Sequence, residues 1–166
     1  GIGGSATNDG GVGMLEARGF GFFDADGRPI ERGARGLEKL ARITSDGALP
    51  ELCECRFDIA CDVKNTLCGE NGCSAVYGPQ KGATSEMVKE LDEGMQAFSR
   101  LVYKETGTDI MNIKGAGAAG GLGGALKAFL DADLKKGADM VLDAIGFDQM
   151  IENADLVITG EGKIDG

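Results

Sequence analysis

The sequence predicts an α/β fold with a mixed sheet and flanking helices. Three observations lead to this prediction: a long amphipathic helical pattern over residues 85–104, apolar runs typical of strands at 57–63 and 155–159, and glycine-rich loops between such segments. Helices that alternate with buried strands are typical of the α/β class. The chain has 166 residues, of which 42% are hydrophobic, so we expect a single α/β unit with its own core.

Several segments in the first half have recognisable patterns. Asp26 and Gly27 indicate a turn, and Pro29 restricts the residues after this turn to an edge strand or a loop. The remaining predictions, in chain order, are a strand at 19–24, a short helix at 36–43, a strand at 57–63, an extended piece at 74–78 and a loop at 78–83.

The second half is predicted to be mostly helical. Thr84 is a good N-cap and Gly107 a good stop for a helix near residues 85–104. Its apolar face is predicted to be buried and consists of Val88, Leu91, Met95, Phe98 and Val102. Further helices are expected at 121–130, at 138–145 with Val141, Leu142 and Ile145 inward, and at 148–153, followed by a buried strand at 155–159.

Charge and composition exclude several classes of function. The formal net charge is −10, which argues against binding to nucleic acid or to an anionic membrane. No apolar run reaches the length of a transmembrane helix, and no signal peptide is visible. The chain contains no histidine, which excludes Ser-His-Asp triads, Cys-His dyads and histidine metal ligands within it. Any acid–base catalysis by this chain must therefore use Asp, Glu, Lys or Tyr. Since the chain begins without methionine, we expect a processed or excised piece.

The first eleven residues, G-I-G-G-S-A-T-N-D-G-G, form the most distinctive stretch of the chain. Glycines such as Gly3 and Gly4 let a ligand approach the backbone, whose exposed N–H groups suit an anion. Hydroxyl, amide and carboxylate groups are added by Ser5, Thr7, Asn8 and Asp9. A short helix is predicted directly afterwards, with its N-terminus towards the ligand. The alternative is a flexible chain end.

A second glycine-rich loop spans residues 115–120 and matches G-x-G-x-x-G. A dinucleotide site needs a strand directly before this motif, and residues 108–114 make a poor strand, so a nicotinamide site is rejected. Two interpretations of Gly117 and Gly120 stay open: phosphate binding at a helix start, or a close-packed helix contact. The chain contains no P-loop motif.

Charged residues come after both of the predicted strands. Glu161, Lys163 and Asp165 come after the strand at 155–159, and Asp62 and Asn65 come after the strand at 57–63. Ligands of open α/β sheets bind outside the carboxyl ends of strands. A carboxylate there can hold magnesium, and a lysine can neutralise a phosphate. Lys81, in the loop at 78–83, is a further candidate phosphate contact.

The five cysteines are clustered between residues 53 and 73. Metal sites usually contain C-x-x-C pairs, and none occurs here. A disulfide framework would leave one thiol over. We therefore predict free thiols, used mainly as small apolar residues in a reducing cytoplasm.

Five motifs resemble the bacterial glycerate kinase family. They are G-I-G-G-S-A-T-N-D-G-G at the start, A-C-D-V-K-N-T-L-C-G at 60–69, Y-G-P-Q-K-G-A-T at 77–84, G-A-G-A-A-G-G-L-G-G-A-L at 115–126 and A-D-L-V-I-T-G-E-G-K-I-D-G at 154–166. The resemblance implies ATP-dependent phosphorylation of D-glycerate in the cytoplasm by a larger, two-domain α/β kinase, of which this chain is a central fragment. Its activity without the flanking segments stays open. The alternative is a non-catalytic anion- or nucleotide-binding domain.

With this reaction in view, the candidate site residues take specific roles. Asp9, Asp62 and Lys163 are the catalytic candidates, with Asp9 or Asp62 as the base. Substrate and phosphate would contact Gly3, Gly4, Ser5, Thr7, Asn8, Asn65, Lys81, Gly117 and Gly120. ATP would bring Mg²⁺, held by Glu161 or Asp165. We expect 2-phosphoglycerate rather than 3-phosphoglycerate as product, although the sequence does not decide between them. Oligomeric state also stays open, a homo-oligomer included.

Overall fold

A computed structural model describes residues 1–160, which contain six α-helices and four strands. The helices are α1 (Val12–Glu16), α2 (Cys73–Tyr77), α3 (Ser85–Thr106), α4 (Ala118–Leu130), α5 (Gly137–Ile145) and α6 (Phe147–Ile151). The strands are β1 (Gly21–Phe23), β2 (Arg42–Thr44), β3 (Asp58–Ala60) and β4 (Asp133–Lys135). Short 3₁₀ helices cover Ala34–Lys39, Pro50–Glu54 and Pro79–Lys81. None of the helices in this range is long and apolar enough to cross a membrane.

The strands form two small sheets of different type. β1 pairs antiparallel with β2, so that Phe22 lies opposite Ile43. β3 pairs parallel with β4, so that Ile59 lies opposite Leu134. The predicted strands at 19–24 and 57–63 are confirmed, although each is only three residues long. Parallel and antiparallel pairs together with packed helices confirm the mixed α/β class.

Helix α3 is the central element of the core, and its prediction is confirmed. The Thr84 hydroxyl accepts a hydrogen bond from the Met87 backbone N–H at 3.3 Å, and Gly107 ends the helix in the left-handed conformation. Met95, Phe98 and Val102 are fully buried. Val88 and Leu91, predicted to lie on the same buried face, are only half-buried. The apolar face is therefore covered in its C-terminal half and partly open in its first turns.

Two short segments differ from their predictions. Residues 36–43 were expected to be one helix, but the 3₁₀ helix ends at Lys39 and Ile43 belongs to β2. Apolar residues three apart fit a 3₁₀ turn and a subsequent strand as well as an α-helix, and Ile43 is buried by pairing with β1. Residues 74–78 were expected to be extended, yet Cys73–Tyr77 is helical. Short apolar runs do not distinguish the two states, and burial of Cys73 and Ser74 in the core decides for the helix.

The predictions for the end of the chain are wrong about burial. Val141, Leu142 and Ile145 were expected to point inward from α5, but their exposed fractions are 60%, 38% and 52%. Residues 155–159 were expected to form a buried strand, but they have no regular structure, and Ile158 is 88% exposed. A strand requires a neighbour to pair with, and no strand of residues 1–160 lies beside this run.

Candidate functional site

The two glycine-rich loops pack directly against each other. The Gly10 backbone N–H donates to the Gly120 carbonyl at 2.9 Å. A Cβ on Gly120 would lie 2.1 Å from the Thr7 carbonyl oxygen, and its φ of +69° also disfavours any side chain. Of the two interpretations left open for the motif at 115–120, the close-packed contact is therefore the one observed for Gly120.

Asp9 uses both carboxylate oxygens to hold its own loop. Oδ1 accepts from the Gly11 N–H at 3.0 Å and from the Thr7 hydroxyl at 2.7 Å. Oδ2 accepts from the Gly13 N–H, in the first turn of α1, at 3.0 Å. The anion at the start of this helix is thus the carboxylate of Asp9 itself.

Lys81 joins the 3₁₀ helix Pro79–Lys81 to the N-terminal loop. Its ammonium donates to the Ser5 hydroxyl at 3.1 Å and to the Thr7 carbonyl oxygen. Burial lowers the pKa of Lys81, while Cys73 and Asp9 oppose this shift. An ammonium has three donors, and these two bonds leave one for a ligand.

Asn8 is held by a residue that the sequence does not single out. Its amide Nδ2 donates to the hydroxyl of Ser74, a buried side chain on α2, at 3.0 Å. Its Oδ1 is buried and has no hydrogen-bond partner among residues 1–160. A buried acceptor without a donor costs about 1–3 kcal/mol, and such atoms are concentrated at functional sites.

A cavity of about 400 Å³ lies beside this network of hydrogen bonds. Three predicted site residues line it, namely Thr7, Asn8 and Lys81. The floor includes Met87 and Leu91 of α3, which explains why Leu91 is only half-buried. A larger cavity of about 830 Å³ lies between residues 45–57 and 105–133 and contains none of the predicted site residues. The smaller cavity is therefore the candidate site, and its volume is ordinary for small-molecule sites.

The predicted residues near β3 belong to neighbouring structure but do not line this cavity. Asp62 Oδ1 accepts from the Gly137 N–H at 2.8 Å, at the beginning of α5. Asn65 Oδ1 accepts from the Tyr77 hydroxyl at 2.7 Å. The Asn65 carbonyl accepts from the Gly117 N–H at 3.1 Å, which ties Asn65 to the second glycine loop. These contacts hold backbone segments together around the site.

The remaining predicted site residues either do not line the cavity or lie outside the described residues. Gly3 and Gly4 are exposed, and a Cβ on either would meet nothing within 4 Å. Glu161, Lys163 and Asp165 lie outside the described residues. Within residues 1–160, no group of three or more Cys, Asp or Glu side chains is arranged to hold a metal ion.

Sequence reasoning missed three side chains. Ser74 lies in a run that was interpreted as extended, and only its burial reveals its contact with Asn8. Arg32 and Arg35 also line the cavity. They occur in the run E-R-G-A-R-G, in which Gly33 and Ala34 separate the two arginines. This pattern was the available signal.

Fold and cavity together define a mixed α/β protein with a candidate small-molecule site that is lined in part by a glycine-rich loop. The model of the glycerate kinase family matches residues 1–166. The chain is 50% identical to a glycerate kinase from Halalkalibacterium halodurans and 47% identical to the glycerate 2-kinase of Escherichia coli, over 99% of this chain. The crystal structure of glycerate kinase 2 from Salmonella typhimurium LT2 matches with a TM-score of 0.92 and 49% identity, over 99% of this chain and 44% of that one.

This chain belongs to the glycerate kinase family. The resemblance carried by its five motifs is confirmed. The chain spans 43% of the length of the two relatives named.

Proposed function

We propose that this chain carries part of the site at which ATP phosphorylates D-glycerate in the cytoplasm. The observation behind the proposal is Lys81, a cation held by Ser5 and Thr7 at the wall of the 400 Å³ cavity. Its remaining donor and its charge would stabilise an oxyanion in that cavity. The five free thiols suit a reducing compartment.

The hydrogen bonds around Asp9 support a route for the proton of the substrate hydroxyl. Thr7 lines the cavity, and its hydroxyl donates to Asp9 Oδ1 at 2.7 Å. In our proposal the Thr7 oxygen accepts the proton from the substrate hydroxyl while the Thr7 proton passes to Asp9. Asp9 is favoured over Asp62 as the final acceptor because the Thr7 hydroxyl, which lines the cavity, donates to Asp9. Asp62 instead accepts from the Gly137 N–H at the beginning of α5.

The proposed reaction also uses magnesium, whose proposed ligands lie outside the described residues. We propose Glu161 or Asp165 as its ligands, and Lys163 as a second cation. Magnesium bound with ATP would neutralise charge on the phosphates.

Turnover and binding test the proposal together. The chain is mixed with ATP, Mg²⁺ and D-glycerate; ADP formation gives the rate, and phosphorus–proton NMR shows which carbon carries the phosphate. We expect 2-phosphoglycerate. Lys81→Met should lower kcat/KM by about 10²–10³-fold, whereas Lys104→Met, an exposed lysine in the last turn of α3, should leave it unchanged.

Three results would speak against the proposal. Phosphate on C3 would contradict the product assignment alone. Binding of ATP without binding of D-glycerate would favour the non-catalytic anion-binding domain. If neither ATP nor D-glycerate binds to the chain, calorimetry would show no heat of binding, and the cavity would not be a substrate site.

A further inference from the structure

Residues 31–35 form one wall of the cavity, and the charges of this wall are mainly positive. Arg32 and Arg35 line this wall together with one carboxylate, Glu31. Counting Lys81, the cavity has three cationic side chains against one anionic side chain. This local excess occurs in a protein of net charge −10. A cleft whose charge opposes that of the whole molecule concentrates ligands of the opposite sign, here anions.

The segment that carries the arginines is fixed to the core. Arg35 is in the 3₁₀ helix Ala34–Lys39, whose Leu37 is 1% exposed. Leu37 packs over Gly94 of α3, where an added Cβ would lie 3.4 Å from the Leu37 Cβ. Helix α3 also supplies the cavity floor through Met87 and Leu91. The arginine wall and the floor are therefore positioned by the same helix.

Both guanidinium groups are free to bind an anion. Arg35 makes no ion pair with any carboxylate of residues 1–160, and Arg32 approaches only Glu16, at 3.9 Å with its side chain 92% exposed. An exposed pair at that distance contributes little energy. A ligand would therefore displace no strong internal contact.

The chemistry of this wall suits the carboxylate of a small molecule. The planar guanidinium binds a carboxylate or a phosphate through two parallel hydrogen bonds, so what favours a carboxylate here is the lining around the arginines. Magnesium that accompanies a triphosphate prefers carboxylate ligands, and Glu31 is the only one among the described lining residues. The apolar floor suits a short carbon chain.

We propose that Arg32 and Arg35 bind the carboxylate of a small hydroxy-acid substrate in the cavity that Lys81 also lines. This inference rests on the proposed function and adds the residues that select an acid over a neutral polyol. It places the substrate with its carboxylate at the arginines and its hydroxyl end towards Thr7 and Lys81.

Calorimetric titration of the 166-residue chain with D-glycerate tests the assignment, with glycerol as the probe that lacks a carboxylate. Wild-type protein should bind D-glycerate and discriminate against glycerol. Arg32→Gln and Arg35→Gln should each raise the Kd for D-glycerate about tenfold or more, and leave the Kd for ATP unchanged. The matched control is Arg28→Gln, an exposed arginine at the β1 turn that does not line the cavity.

A second measurement does not depend on variants. Phenylglyoxal modifies exposed arginines, and peptide mass spectrometry locates the products. D-Glycerate should protect Arg32 and Arg35 from modification, whereas glycerol should not, and Arg28 should react equally under all conditions.

The outcomes separate this inference from the proposed function. If wild-type protein binds and phosphorylates D-glycerate and the arginine variants do the same, only the arginine assignment is overturned. If the variants lose affinity for ATP and keep it for D-glycerate, the wall is a phosphoryl site and the assignment is again overturned. If wild-type protein neither binds nor phosphorylates D-glycerate, both fall.

Discussion

Asp9 holds its own loop through both carboxylate oxygens, and in the proposed reaction it also accepts a proton. Three donors occupy its oxygens, and one of these donors, Thr7, also lines the cavity. A carboxylate has about four lone-pair positions, so three bonds leave capacity for a further proton. If the proposed reaction is correct, the same side chain links loop stability and proton transfer.

We expect Asp9→Asn to lower both stability and turnover. The amide loses its charge and places N–H donors against the N–H groups of Gly11 or Gly13, so the free energy of unfolding should fall by about 1–3 kcal/mol in urea titrations. Turnover should fall about 10²–10⁴-fold if Asp9 receives the proton.

Thr7→Ser should retain turnover and Thr7→Val should lose it. Asp26→Asn, an exposed turn residue, serves as control, with a change below about 0.5 kcal/mol. If Asp9→Asn changes neither stability nor turnover, Asp9 neither stabilises the loop nor accepts the proton.

The five cysteines divide into two reactivity classes. Cys53 and Cys55 are exposed, whereas Cys61 and Cys73 are buried and Cys68 is half-buried. Burial raises the pKa of Cys68 to about 12 and of Cys73 to about 11, and it also raises the pKa of Cys61. Because the thiolate is the reactive form, these three should be almost inert near neutral pH.

Titration with a chromogenic disulfide reagent, without reductant, tests this division. In native protein at about pH 8, two thiols should react quickly, and the other three only after denaturant is added. All five should be found in denaturant. Loss of a pair would indicate a disulfide, and zinc or iron detected in native protein by mass spectrometry would indicate a metal site.

At the scale of elements, the start of α4 stores backbone strain. Ala119, Gly120 and Gly121 have φ values of 51°, 69° and 97° before the regular helix begins. For alanine this left-handed conformation costs about 1–2 kcal/mol. The turn persists because both sides are held, by Gly117 N–H to the Asn65 carbonyl and by Gly10 N–H to the Gly120 carbonyl. Such strain is typical of segments that position a functional loop.

Helix α3 offers a matched pair of truncations along one face. Met95 is fully buried, whereas Leu91 is half-buried beside the cavity. Met95→Ala should lower the free energy of unfolding by about 2–5 kcal/mol, and Leu91→Ala by less than about 2 kcal/mol. Urea denaturation measures both. Equal losses would mean that the cavity above Leu91 is closed in solution.

At the scale of the whole molecule, burial is uneven along the chain. The core is contributed by residues between Val12 and Ala132, and α5 and α6 contain no buried residue. Local stability depends on the number of buried apolar contacts, so these last helices should open most easily.

Ile110 and Ile145 test this difference with identical chemistry, since Ile110 is 0% exposed and Ile145 is 52% exposed. Ile110→Ala should cost about 2–5 kcal/mol, whereas Ile145→Ala should cost less than about 1 kcal/mol. Hydrogen exchange should likewise be faster in α5 than in α3. A different result would show that a second copy of the chain covers α5. In that case Ile145→Ala would lower the free energy of unfolding strongly at high protein concentration only, and sedimentation would detect dimers.

The sequence alone was sufficient wherever local chemistry decides the outcome. It predicted α3 with both ends, because the Thr84 cap, the Gly107 stop and the apolar spacing act within one segment. It also named Thr7, Asn8 and Lys81 as site candidates, and the structure brings these three together at one cavity. Its five motifs were long enough to indicate the family.

Only the tertiary structure decided what distant segments do to one another. Ser74 meets Asn8 across 66 positions and Lys81 meets Ser5 across 76, and no periodicity encodes such pairs. Arg32 and Arg35 looked like ordinary surface charges until packing of Leu37 on α3 placed them on the cavity wall. The predictions that α5 and residues 155–159 are buried were wrong for the same reason. A hydrophobic pattern indicates that burial of a segment would be favourable. Whether the segment is buried depends on which other segments pack against it.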